Sequence, residues 1–317
     1  MELPEYTEST ADRLARRIGR VHLRQRLGIE DVYEAKVFGQ GRSLLAVENL
    51  DSLDNVLKAL LKATFLYQRG LENARRIVRR DNTFRLKHLP RVFDGFRILH
   101  ITDLHLDMAP DMPQVLIEAI KDLEYDLCVL TGDYRAGTMG DYQPCLAAMA
   151  EIRPHLGDTV YAVLGNHDSI RMVPPVEDLG ITMLLNEFAM VERKDEAIYF
   201  GGVDDAHYFR ADNLEKAADA IPEEAVSILL SHSPEIYKNA MHAAFDVMLA
   251  GHTHGGQICL PGGWPLTVNA NCRRRFCRGA WDYHGMQGYT SAGSGACILD
   301  VRFNCPPEVV MHTLVRA

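Results

Sequence analysis

The chain of 317 residues reads as an α/β layered protein preceded by a helical segment. Three observations predict this. Short apolar, β-branched runs alternate with helical patterns between residues 94 and 250. Five of those runs end in turns that carry Asp, His or Asn. Charge also divides the chain: residues 1–91 hold 18 Lys and Arg against 12 Asp and Glu, while the remainder holds 16 against 31, within a net charge of −9.

Composition narrows the class of protein. A hydrophobic content of 47% and a charged content of 24% suit an ordinary globular core in one large domain or two smaller ones. No window approaches the ~20 consecutive apolar residues of a membrane span. The start, "MELPEYTESTADRLARR", has no apolar h-region, so no secretion signal is expected. Seven cysteines without any CxxC spacing predict reduced thiols in a cytoplasmic protein.

Taken in order, residues 9–28 predict a first helix. Ser9 with Asp12 three residues on forms a capping-box-like start. Leu14, Ile18 and Val21 recur at helical spacing, and Gly28 is a natural stop. Residues 53–80 predict a second helix with Val56, Leu57, Leu60, Leu61 and Leu71 on its apolar face. Arg75, Arg76, Arg79 and Arg80 would crowd its end, where cations suit the helix dipole. This basic region, residues 1–93, has two readings: an amphipathic surface for anionic lipid, or helices packed on the following domain with their arginines in water. The domain itself is expected to span residues 94–317. Its strand-like runs are 97–102, 127–131, 160–164, 197–203, 226–230 and 246–250. Helical patterns fill 113–123, 144–156 and 213–221.

The residues just after each run carry the chemistry. "RILHIT" leads into Asp103 and His105, "LCVLT" into Gly132-Asp133, and "VYAVL" into Gly165-Asn166-His167-Asp168. "VSILL" leads into His232, and "DVMLA" into Gly251-His252-Thr253-His254. Each piece alone occurs by chance in many chains. Five in succession at strand ends predict convergence, because ligands of α/β sheets bind beyond the carboxyl ends of strands. Carboxylates, imidazoles and one amide suit Mn²⁺, Fe²⁺ or Zn²⁺. The donors are too many for one tetrahedral ion. Two ions sharing an aspartate fit, and such a pair acidifies a bridging water into a hydroxide nucleophile and clamps a phosphoryl group.

The ordered pattern D-x-H, G-D, G-N-H-D, H and G-H-x-H resembles that of the calcineurin-like metallophosphoesterases over residues 94 to 317. The resemblance implies a four-layer α/β/β/α sandwich and two divalent ions, with Mn²⁺ expected and Fe²⁺ or Zn²⁺ as alternatives. It implies Asp103, His105 and His254 on the first ion, Asp133 bridging, and Asn166, His232 and His252 on the second. His167 would contact the scissile phosphate and assist the leaving group, with Asp168 orienting it. "GDYRAG" lacks the Asp-Arg that protein Ser/Thr phosphatases carry in this motif. "GHTHGGQICLP" and "FNCPPEVVMHTL" look more like the bacterial phosphodiesterase-like branch, which includes UDP-2,3-diacylglucosamine hydrolases. Members of that branch often begin with a membrane-spanning or export segment, and this chain has a basic helical region instead.

The expected activity is therefore hydrolysis of a phosphodiester or pyrophosphate, on a phosphorylated small molecule or a lipid-linked substrate. The N-terminal region would make peripheral contact with the inner face of the membrane. The rivals are a soluble cyclic-nucleotide or general phosphodiesterase or phosphatase, and a metal-binding scaffold without turnover. Nucleic acid is not expected, since the domain is acidic and no stacking aromatics accompany the arginines. Three residues stand at the margin. His207 would contact substrate or lie on the surface. Arg273 and Arg275 would grip a second phosphate or belong to a solvated loop. His100 reads as a packed core residue. Cys272, Cys277 and His284 lack the fourth partner a structural zinc would need.

Overall fold

The computed structural model describes residues 9–35 and 51–317, and the side chains of all of these but 33–35 and 51–55. The sequence-predicted runs become strands of two six-stranded sheets. The first joins, in spatial order, β1 (Val78–Leu86), β14 (Glu308–Arg316), β2 (Arg97–Ile101), β3 (Leu127–Leu130), β4 (Val160–Ala162) and β5 (Thr182–Met183). The second joins β12 (Gly279–Tyr283), β13 (Met286–Thr290), β9 (Val247–Ala250), β8 (Ser227–Leu230), β7 (Glu196–Gly202) and β6 (Glu187–Arg193). β2 to β5 run parallel, as do β7, β8 and β9. A short antiparallel pair, β10 (Cys259–Leu260) and β11 (Trp264–Pro265), stands apart.

Alternation along the buried strands makes the layers. Ile98, Leu127, Val129, Ile228, Leu230, Val247 and Leu249 point into one core between the sheets. Their neighbours Leu99, Ile101, Cys128 and Leu130 face α5 (Met112–Ile120), α6 (Gln143–Ile152) and α7 (Val173–Asp178) on one outer side. Leu229, Met248 and Ala250 face α8 (Leu214–Ala218) and α9 (Tyr237–His242) on the other. The result is the four-layer α/β/β/α sandwich.

The N-terminal helices differ from the sequence expectation. The first breaks at Gly19 (φ 86°) into α1 (Thr10–Ile18) and α2 (Arg20–Ala35). The break shifts the helical phase, so Val21 faces solvent while Leu14 and Leu23 are buried against the outer face of the first sheet. α2 runs through Gly28, where the helix costs about 1 kcal/mol relative to Ala and anchors on both sides outweigh it. The second predicted helix becomes α3 (Asp51–Ala63) and α4 (Tyr67–Ala74), separated at Phe65 with φ 58°. Leu61 is buried against Leu299 and Val301, with Leu57 and Leu71 packed beside them, whereas Val56 and Leu60 are exposed. Arg79 and Arg80 do not end a helix. They lie on β1, which pairs along nine residues with β14 and buries Phe84 and Leu86 in the central core. The strand wins because its inward side chains fill the gap between the sheets.

His100 is a core residue, as read, but not an isolated one. Its Nδ1 lies 3.3 Å from Nε2 of His312 on β14, and its Nε2 lies 2.8 Å from Thr131 Oγ1. Burial drives His100 from 6.5 down to about 3 and His312 well below its ordinary value. Both are neutral in the folded protein, while the unfolded chain takes up protons below 6.5. Stability is therefore intact above that pH and lost as pH falls toward 3, by up to about 1.4 kcal/mol per pH unit for each histidine. Urea unfolding at about pH 7 and pH 5 checks this. His100→Leu should flatten the slope between them, and an unchanged slope would clear the histidine of the role.

Candidate metal centre

Five strand ends deliver the candidate donors, three from the first sheet and two from the second. The loops after β2, β3 and β4 carry Asp103 and His105, Asp133, and Asn166 to Asp168. Those after β8 and β9 carry His232, and His252 and His254. Hydrogen bonds stitch the two edges together. The Asp103 and His105 amides donate to the carbonyls of Gly132 and Asp133 at 3.0 and 3.1 Å. The His252 amide donates to both carboxylate oxygens of Asp103 at 3.1 and 3.0 Å. The glycines between them are required by contact. A Cβ on Gly165 would collide with the Asp133 carboxylate, and one on Gly251 with Thr102 and Asp103.

The backbone is strained where the donors sit. Asp103 (φ 51°), His105 (42°), Asp133 (56°), His252 (70°) and His254 (49°) all occupy the left-handed region. Each such residue costs of order 1–3 kcal/mol and persists only when its surroundings over-determine it. Five of them in one cluster point to function.

The donor atoms converge. Asp103, His105, Asp133 and His254 form one group, and Asp133, His232 and His252 another, with ligand atoms in each group within 4.8 Å of one another. His105 Nε2 lies 3.1 Å from His254 Nε2, which lies 3.2 Å from Asp103 Oδ1. Asn166 Oδ1 and Asp133 Oδ2 both lie 3.1 Å from His232 Nε2. All seven sequence-predicted ligands are therefore brought together, and Asp133 belongs to both groups.

The protonation pattern fits a cation. His105 Nδ1 donates to the Arg135 carbonyl at 2.8 Å and His232 Nδ1 to the Thr131 carbonyl at 2.7 Å. The Nε2 lone pairs are thereby aimed at the cluster, the usual arrangement behind a ligating imidazole. At His232 that lone pair meets two oxygen acceptors, an arrangement only a proton or a cation relieves. Burial alone would lower His232, but the Asp133 carboxylate overrides it and pushes the imidazole up to about 10. A proton stands there for the charge a divalent ion would bring. Burial keeps His105, His252 and His254 neutral, with His105 down at about 3, so their nitrogens are free to ligate. His252 Nε2 is buried without a hydrogen-bond partner.

His167 stands at the rim. Its Nε2 is 3.9 Å from Asp133 Oδ2, and its ring meets His105 edge-on at 5.2 Å. The hydroxyl 3.1 Å from its Nδ1 belongs to Thr138. Asp168, read as the residue that orients His167, holds the loop through its carboxylate. Its carboxylate accepts from the amides of Asp133, Tyr134 and Gly165 at 2.8, 3.0 and 2.8 Å. It thus ties the two motif loops together through their backbones. Arg135, displaced in sequence from the phosphatase pattern, is buried and donates through Nε to the His167 carbonyl at 2.5 Å.

His207 is half-buried, its ring 4.2 Å from that of His252 and its Nδ1 3.0 Å from Glu235. It borders the cluster, so the alternative of a plain surface histidine does not hold. Arg273 and Arg275 are exposed, and the Arg275 guanidinium lies 4.5 Å over the Phe276 ring. Their loop is tied to Glu235 through the Asn271 amide. Cys272 and Cys277 remain thiols with sulfurs 3.6 Å apart.

Two buried arginines escaped the sequence reading. Arg302 donates to the Ala292 and Gly295 carbonyls at 2.8 and 3.0 Å and reaches His254 Nδ1 at 3.2 Å. Arg26 of α2 bonds Asp204 at 3.0 Å, Glu30 at 2.6 Å and the Asp168 carbonyl at 3.2 Å, and lies 3.4 Å over Phe209. Glu30 in turn accepts from Ser169 Oγ and the Ile170 amide, both at 2.8 Å. α2 thus braces the loop that carries Asn166 and His167. The one signal in the sequence was the i, i+4 spacing of Arg26 and Glu30. Arg26→Ala leaves the buried Asp204 carboxylate without its cation, while Glu30 keeps Arg171 at 2.7 Å, and should cost about 3–5 kcal/mol in urea unfolding. A loss under about 1 kcal/mol, as for an exposed pair, would show that the brace is not structural.

A family model of calcineurin-like phosphoesterase matches residues 96–256, half of the chain. The chain belongs to this family. Among curated relatives it is 30% identical to the metallophosphoesterase YkoQ of Bacillus subtilis over 227 residues, 68% of this chain and 83% of that protein. It is 27% identical to the phosphodiesterase YaeI of Escherichia coli, over 69% of this chain and 82% of that one. A transmembrane protein with metallophosphoesterase domain from Danio rerio is 27% identical, over 89% of this chain and 68% of that protein. The protein is a metal-dependent hydrolase of phosphate esters. Among the described residues no helix is long and apolar enough to cross a membrane.

Proposed function

We propose that this metallophosphoesterase cleaves a phosphodiester or pyrophosphate linkage in an amphiphilic substrate at the inner face of the membrane. The observation that carries the chemistry is the sharing of Asp133 between two donor groups, with His167 Nε2 at their rim. Asp103, His105, Asp133 and His254 would hold one divalent ion, and Asp133, Asn166, His232 and His252 the other, oxygen–nitrogen sets that by themselves suit Mn²⁺. Such a pair, when bound, supplies positive charge for the phosphoryl oxygens and Lewis acidity toward water. The chain's own residues do the rest. The two sheets hold seven donors in fixed register, Thr138 and Arg135 set the His167 ring and backbone, and His167 presents Nε2 to the leaving oxygen. His207 borders the second donor group, and Arg273 and Arg275 offer charge for a second phosphate.

Exposed apolar side chains support the lipid reading. Val56, Leu60, Phe65 and Leu66 face solvent on α3 and the turn into α4, with Lys58 and Lys62 set against the Tyr67 ring. On the β10–β11 hairpin Trp264 is exposed with the Arg274 guanidinium 5.0 Å over it. Apolar groups mixed with cations suit an anionic bilayer. The experiment has two arms. Mn²⁺-loaded protein is assayed on aryl phosphomonoesters and diesters, cyclic nucleotides and UDP-diacylglucosamine. Vesicle flotation is then run with anionic lipid at low and high salt. Turnover of the lipid nucleotide and salt-sensitive flotation are expected. Preference for cyclic nucleotides without flotation would favour a soluble phosphodiesterase, and no turnover of any substrate a metal-binding scaffold.

A further inference from the structure

We propose that Cys297 is a thiolate donor to the first metal position, which makes that position selective for softer divalent ions. The inference rests on the two-ion reading above. Cys297 Sγ, His105 Nε2 and His254 Nε2 lie within 4.8 Å of one another, and among the described residues this is the only cysteine in such a group. Its Sγ also lies 3.8 Å from His167 Nε2.

The thiol is held in place. The Cys297 amide donates to Gln257 Oε1 at 2.8 Å, and Gln257 Nε2 donates back to the Cys297 carbonyl at 2.8 Å and to the Leu299 carbonyl at 2.9 Å. Gln257 itself comes just after the turn that carries His254 and sits at φ 51°. The side chain of one metal loop therefore clamps the backbone of the loop bearing the thiol. Paired hydrogen bonds of this kind restrain the backbone at Cys297, and a ligand needs its position held to within about 0.5 Å.

The chemistry comes from ligand softness. Asp103, His105, Asp133 and His254 alone form an oxygen–nitrogen set that suits Mn²⁺. A thiolate shifts preference toward Zn²⁺, Fe²⁺ or Co²⁺. On ligation the S–H proton leaves to solvent and a sulfur–metal bond forms, so binding becomes more favourable as pH rises. Half-burial leaves the thiol open to solvent for that exchange.

The full-length apo protein loaded with Co²⁺ tests this by absorption spectroscopy. The expected spectrum has visible ligand-field bands and an intense near-ultraviolet thiolate-to-cobalt band. Cys297→Ser should abolish the second and keep the first, while Cys272→Ser should keep both. The same Cys297→Ser protein should lose roughly 10–100-fold of its preference for Zn²⁺ over Mn²⁺ in competition binding. Visible bands without the near-ultraviolet band in the wild-type protein would overturn the proposal and leave the two-ion centre standing. No cobalt bands at all would overturn both.

Discussion

Asp133→Asn should abolish hydrolysis of every substrate that the wild-type protein turns over. The carboxylate is shared by both donor groups, with Oδ2 3.1 Å from His232 Nε2 and 3.9 Å from His105 Nε2. An amide of the same shape can still accept the His167 amide, which now bonds Oδ1 at 2.9 Å. It cannot supply a negative charge to two cations. A metal's transition-state stabilisation is worth several kcal/mol, so losing one ion's hold costs roughly a thousand-fold or more in kcat/KM. The same substitution removes the largest of the charges that raise His232, leaving only Asp103 and Asp205 to oppose burial. Elemental analysis should find the metal content reduced from two ions toward one, with circular dichroism unchanged. Near-normal turnover with one ion would mean that the shared aspartate is not the hinge of the site.

The seven candidate donors were legible in the sequence for a physical reason. Each is tied to a local event that leaves a mark: a short buried run, a glycine or polar turn, then the donor. Gly165 and Gly251 are there because a side chain would strike the neighbouring donors. Residues that act by tertiary closeness left no such mark. Arg26 and Arg302 look like any other arginine until α2 and the last loops fold over the motif turns. Thr138 and Cys297 reach His167 from 29 and 130 residues away. β1 was hidden for a different cause. Its arginines and its proximity to α4 extend a helical pattern, and only pairing with β14, more than 200 residues on, selects the strand. Asp168 stands beside His167 in the sequence, but spacing alone does not reveal that its carboxylate accepts from three backbone amides.

His167→Ala separates the chemistry from the metal centre. His167 belongs to neither donor group, so the variant should keep both ions and the cobalt ligand-field bands. It loses the rim imidazole whose Nε2 lies 3.9 Å from Asp133 Oδ2 and can hand a proton to a departing oxygen. General acid catalysis contributes about 10²–10⁴-fold, but only where the leaving group needs the proton. An alkyl phosphodiester, whose alkoxide leaves poorly, should therefore lose kcat by that factor. A nitrophenyl ester, whose phenolate leaves unaided, should lose far less. Thr138→Val removes the hydroxyl from His167 Nδ1 without touching a ligand and should reproduce the same leaving-group dependence in weaker form. If alkyl and aryl substrates fall equally in His167→Ala, the histidine holds the phosphoryl group in place and transfers no proton to the leaving oxygen. If metal is lost with it, the ring is a ligand, and the assignment of donors made from the strand ends must be redrawn.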